Sequence, residues 1–189
     1  MATILGIDPG LSHTGWAIVS TADGADAKPR AVAYGVISTD SGDELNTRLA
    51  AIYDGLAAVI ERYRPTTCAL EGVFFGLNAK TALSLGQARG AAILATSQRG
   101  LPLGEYPPAT IKQTIVGEGR AEKEQVTYMV RHLLALDHDP KPDHCADALA
   151  VALTHLTLGG SRIPVIPPSD PESFKQDKAT MKKGECVQT

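Results

Sequence analysis

Three short β-forming runs, residues 3–8, 14–20 and 31–38, occupy the first 38 residues, with Gly, Pro and Asp between them. They read as an antiparallel meander. Beyond residue 38 the apolar pattern alternates in period. Leu45, Leu49, Ile52, Leu56, Val59, Ile60 and Tyr63 recur at helical spacing behind a capping box at residues 41–44 (Ser41 to Glu44), and Pro65 ends that helix. "TTCALE" (66–71) reads as a buried strand. Asn78 caps a helix over 79–98 that Gly100 closes, and "LPLGEY" (101–106) is a fifth strand. Helices are expected near 108–115, 121–135 and 144–158. The order βββαβαβααα specifies an α/β domain: a five-stranded mixed sheet with helices on both faces. The domain spans residues 1–158. Residues 159–189 are expected to form a flexible C-terminal tail, because from about 162 the chain is rich in Pro, Ser and Lys and poor in core-forming side chains.

Composition excludes some classes. With 43% apolar and 21% charged residues, the chain matches ordinary globular proteins and lacks a membrane-spanning run. Cys68, Cys145 and Cys186 form no CxxC pair, and no secretory leader is visible, so reduced thiols and a cytoplasmic location are expected. The net charge of -3 hides an uneven distribution. Residues 79–131 carry 7 Lys or Arg against 4 Asp or Glu, whereas residues 1–78 carry 5 against 9. A basic middle beside acidic flanks suits a metal-dependent enzyme acting on a polyanion.

The acids themselves are more specific. In "ILGIDPGLSHTGWAIV" (4–19) a lone carboxylate, Asp8, closes an apolar run just before Pro9-Gly10. The dipeptide marks a turn, and the acid is either part of that turn or a ligand for a cation. Glu71 closes another apolar strand. If the two strands are parallel neighbours, their C-terminal ends place the acids side by side, where open sheets bind ligands. Asp147 intrudes at the apolar start of "PDHCADALAVALTHL". Carboxylates brought together repel unless a cation compensates them, and hard oxygen ligands favour Mg²⁺ or Mn²⁺. Asp143 and His144 lie one helical turn before Asp147. Asp143, after Pro142, is read as the N-cap, and His144 as the site residue. His13, His132, His138 and His155 have no such context. Ala82, Gly86 and Gly90 form a smooth helix face that fits either packing within the monomer or a dimer contact.

The segments "ILGIDPGLSHTGWAIV", "ALEGVFFGLNAKTALSLGQARGAAI", "YPPATIKQTIVGEGRAEKEQV" and "DHCADALAVALTH" together resemble the RuvC family of Holliday junction resolvases, within the RNase H-like nuclease and integrase superfamily. The resemblance covers residues 1–158 and implies an RNase H-like fold. It implies Asp8, Glu71, His144 and Asp147 as catalytic metal ligands. Two Mg²⁺ ions roughly 3.5–4 Å apart would drive phosphodiester hydrolysis, with Mn²⁺ able to substitute. It implies a homodimer that makes paired symmetrical nicks in a four-way DNA junction, alongside branch-migration machinery of the RuvA and RuvB type. Phe74 would wedge into the junction, with Phe75 as the other aromatic of that loop, and Lys112 and Lys123 would face the scissile phosphate. Lys80, Arg89 and Arg120, from the basic middle of the chain, complete the expected DNA contacts. An actin-like ATPase opens with a similar Asp-x-Gly hairpin, but it needs two lobes, and 189 residues suffice for one.

Overall fold

The computed structural model describes residues 2–22, 28–72 and 78–159. Five strands, β1 (Ala2–Asp8), β2 (His13–Thr21), β3 (Arg30–Ser38), β4 (Thr67–Glu71) and β5 (Leu103–Tyr106), alternate with five helices in the order expected. The helices are α1 (Leu45–Tyr63), α2 (Ala79–Ser97), α3 (Pro108–Val116), α4 (Lys123–Leu133) and α5 (Asp143–Thr157). The sheet order is β3-β2-β1-β4-β5. The meander pairs antiparallel, and β1–β4 and β4–β5 pair parallel.

Strand alternation sorts the core into two layers. Leu5, Ile7, Ile18, Cys68 and Leu70 pack against α1 and α2, through Ile52, Leu56, Ala88 and Ala92 among others. Ile4, Ala17, Val19 and Ala69 pack against α3, α4 and α5, through Ile111, Val126, Leu149 and Val151 among others. Burying each of these larger aliphatic side chains contributes about 1.5–3 kcal/mol.

The second layer positions the site. α5 crosses β1 and β2 at backbone contact, over glycines. A Cβ on Gly6 would stand 2.2 Å from the Ala148 carbonyl oxygen, and one on Gly15 would stand 2.1 Å from that of His144. Gly in a strand interior weakens the strand, and here it admits another backbone.

One cap in this part of the chain differs from the sequence reading. The box at 41–44 does not form: Glu44 is the N-cap of α1 without a side-chain bond, and Asp40 accepts from the Gly42 N–H at 2.8 Å instead. Asp turn chemistry won over the cap. The reciprocal box lies at Glu122 and Gln125, opening α4.

Candidate active site

The turn after β1 is held without Asp8. Thr14 Oγ1 donates to the Gly10 carbonyl at 2.7 Å, and Thr39 Oγ1 donates to that of Leu11 at 2.6 Å. The Asp8 carboxylate instead bonds His144, Oδ2 to Nδ1 at 2.7 Å. Ile7 pairs with Leu70 in the parallel register, so Asp8 and Glu71 end adjacent strands. Period-two alternation puts both on the α5 face, with Gly6 and Ala69. Asp147, one turn after His144 on α5, completes the group. Ligand atoms of Asp8, His144 and Asp147 all lie within 4.8 Å of one another. Glu71 adjoins this trio through Asp8.

The electrostatics report crowding. Burial, then the charge of Asp8 and a hydrogen bond to it, push the Glu71 carboxyl up to about 8. Burial also raises Asp147, against the opposing hydrogen bond from Lys123. Its bond to Asp8 raises the His144 imidazole above its ordinary value despite burial. Burial pulls the Lys123 ammonium down, but its hydrogen bond to Asp147 and the charges of Asp147 and Asp143 leave it raised. Lys123 lies 3.0 Å from Asp147 and 3.6 Å from Asp143.

A cleft of about 540 Å³ runs past Asp8, Gly10, Glu71, Lys80, Ser84 and Pro108. A second cavity of about 200 Å³ brings Lys112 and Lys123 to Glu71 and Asp147. Arg120 is exposed just before α4. Phe74 and Phe75 lie outside the described residues. Arg89 departs from the expected DNA contacts. It is buried in α2, and its guanidinium donates to the Glu71 carbonyl and to Glu105. Sequence could not show this, since an Arg among small residues fits either side of a helix.

The N-cap reading of Asp143 is also corrected. Pro142 occupies the cap position without a side-chain bond, and Asp143 is the first residue of α5, exposed beside Lys123. The missed neighbour is His13, whose ring lies 5.6 Å from that of His144. Asp143→Ala is accordingly expected to change stability by less than about 0.5 kcal/mol. His144→Ala, which strips Asp8 of its partner, should cut any metal-dependent nicking about 10–100-fold. Melting temperature and nicking rate on both variants check this, and a dead Asp143→Ala enzyme would exchange the two roles.

A mixed five-stranded sheet with carboxylates at adjacent parallel strand ends and on the helix across them is the RNase H-like arrangement. The sequence model of the family described as "Crossover junction endodeoxyribonuclease RuvC" matches residues 4–155. The crossover junction endodeoxyribonuclease RuvC of Moorella thermoacetica is 49% identical over 155 residues, covering 82% of this chain and 91% of that one. That of Saccharophagus degradans is 47% identical over 163 residues, covering 86% and 92%. Thermus thermophilus RuvC, solved in complex with a Holliday junction substrate, superposes with a TM-score of 0.79 at 37% identity, over 84% of this chain and 95% of that one. The chain belongs to the RuvC family of crossover junction endodeoxyribonucleases.

Proposed function

We propose that this protein cuts four-way DNA junctions by divalent-metal-dependent phosphodiester hydrolysis, making paired symmetrical nicks as a homodimer. The observation that carries this reading is the meeting of Asp8, His144 and Asp147, with Glu71 beside them, in a chain of this family. The residues fit a cation. Neighbouring carboxylates, one pushed up to about 8, remain jointly ionised only against added positive charge, and their oxygens suit Mg²⁺ or Mn²⁺. Asp8, Glu71, His144 and Asp147 are the residues that would hold it, with room in the family scheme for two Mg²⁺. When bound, such ions would supply Lewis acidity and lower the pKa of a water, so that it can give up its proton and attack phosphorus. The protein's own part is positional. His144 orients Asp8, Lys123 orients Asp147, and Lys112 and Lys80 add positive charge where a phosphate backbone would enter. Phe74 and Phe75 remain the aromatic candidates for stacking in the junction. RuvA- and RuvB-type branch-migration proteins are the partners this activity would serve. Among the described residues, no helix is long and apolar enough to cross a membrane.

The test is nicking of a mobile four-way junction with Mg²⁺ present and absent. Symmetrical nicks only with metal are expected, and metal-independent or absent cleavage would overturn the reading.

The pH dependence has a sign. In the metal-free site Glu71 holds its proton up to about pH 8, and ligands must lose protons to bind metal. Mg²⁺ affinity should therefore rise with pH up to about 8 and level off above it. The Mg²⁺ concentration giving half-maximal rate, measured across that range, checks this; a flat dependence would remove Glu71 from the ligands.

The dimer reading draws on α2. Leu83 and Leu94 are 64% and 50% exposed on this helix. A Cβ on Gly86 or Gly90 would meet nothing within 4 Å among the described residues, so none of these packs closely on the smooth face there, which supports a partner helix on it. Beside it a groove between α1 and α2 is lined by Leu49, Tyr53, Gly90 and Leu94. Gly86→Arg should fold normally and sediment as a monomer. A dimeric Gly86→Arg protein would place the interface elsewhere.

A further inference from the structure

Among the described residues, one buried cation has no role yet in the site described above. Arg89 is 9% exposed, deep in α2, the helix whose first turns carry Lys80, Thr81, Ser84 and Leu85 along the wall of the main cleft. Its guanidinium makes two bonds in two directions. Nη1 donates to the main-chain carbonyl of Glu71, at the end of β4. Nη2 donates to Glu105 Oε2 on β5 at 2.9 Å. Glu105 pairs with Leu70 across the parallel ladder, and the Gly72 N–H donates to the Tyr106 carbonyl at 2.7 Å just beyond. The last peptide of β4 is thus gripped from α2 and from β5 at the point where its side chain turns toward Asp8.

We propose that Arg89 is a positioning residue for the active site: it fixes the main chain of Glu71, with Glu105 as its anchor, and so ties the cleft wall formed by α2 to a catalytic carboxylate. This rests on the nuclease reading. A planar guanidinium suits the task because its fork holds donors at fixed angles, whereas an ammonium is a compact point donor on a flexible stem. The charge of Arg89 is offset locally by Glu105, so it adds little to the field seen by DNA. Its loss should therefore act on metal binding and rate, and spare junction affinity. Partners that orient metal ligands typically carry effects of about 10–100-fold on metal affinity or activity when removed.

The test compares full-length wild type with Arg89→Gln, Arg89→Lys and Glu105→Gln in three measurements. The first is the Mg²⁺ concentration giving half the maximal rise in melting temperature without DNA. The second is the Mg²⁺ concentration giving half-maximal nicking. The third is junction Kd without divalent ion, at several salt concentrations. Arg89→Gln should raise both Mg²⁺ midpoints about tenfold or more, in the range expected for an orienting partner, with Kd within about twofold. Arg89→Lys should recover part of the loss, and Glu105→Gln should show a smaller shift in the same direction. Unchanged midpoints with weaker, less salt-dependent junction binding would overturn the proposal and make Arg89 a DNA contact. Lower melting temperature with wild-type midpoints would overturn it too, leaving only a packing role. If Arg89→Gln fails to fold, Arg89→Lys and Glu105→Gln decide by the same midpoints. A wild type without Mg²⁺-dependent nicking defeats the nuclease reading itself, an outcome distinct from all of these.

Discussion

Asp8→Asn should abolish nicking while leaving junction binding intact. Asp8 touches His144, has a carboxylate oxygen within 4.8 Å of one on Asp147, and shares a hydrogen bond with Glu71, so it is the hub of the cluster. On the proposed reading, losing its charge removes a metal ligand, and metal catalysis supplies several kcal/mol of transition-state stabilisation, so the rate should fall by roughly 10³-fold or more. The basic residues around the clefts are untouched. Binding should therefore persist and keep its steep decline with salt. The fold should not suffer. Burial and Asp8 together raise Glu71, and a carboxyl whose folded value exceeds its unfolded one loses stability as pH rises between the two. Relieving that repulsion should raise the melting temperature of the metal-free protein near pH 8. A single-turnover nicking assay, a salt-dependent binding assay and a thermal melt settle the three parts. Wild-type rates in Asp8→Asn would exclude Asp8 from catalysis.

The sequence was informative where a local rule had no competitor. The order of elements came from the switch between period two and period 3.6. The acids Asp8, Glu71 and Asp147 stand out because each is a lone acid against an apolar run, at a strand end or just inside a helix. Local rules failed where two of them applied to one residue. Asp143 satisfied the statistics of an N-cap, yet Pro142 took that position and left Asp143 beside Lys123. Ser41 and Glu44 have capping-box spacing, yet Asp40 closed a turn first. Other features depended on contacts distant in sequence. Arg89 reads as a surface cation until Glu105 and the end of β4 surround it. His155 is buried, bonded to Tyr106 at 2.8 Å and Thr67 at 3.0 Å, and nothing in its own segment says so. Its imidazole is depressed by burial, which suits a neutral structural role.

The glycines were the least legible residues, because the same side chain, or lack of one, serves opposite ends. A Cβ on Gly86 in α2 would meet nothing within 4 Å among the described residues, which leaves that face to the partner proposed above. Gly15 faces a backbone. It pairs with Asp8 across the β1–β2 ladder, and the carbonyl of His144 would sit 2.1 Å from an added Cβ, with the His144 Cβ at 3.1 Å. No rotamer relieves such a contact, since both partners are fixed by their elements. Gly15→Ala must push the first turn of α5 off the sheet, and that turn carries His144 and leads to Asp147. Overpacking of this kind costs about 1–3 kcal/mol or more. For a domain of this size that lowers the melting temperature by about 2–4 °C per kcal/mol. The loss of activity should exceed the loss of stability, because a displacement of about 1 Å at reacting groups costs on the order of 10²-fold. Gly6→Ala, which collides with Ala148 further along α5, should destabilise comparably. Melting temperatures and single-turnover rates on both variants test the pattern. A Gly15→Ala protein that melts and nicks like wild type would mean that α5 does not rest on the strand that carries Gly15.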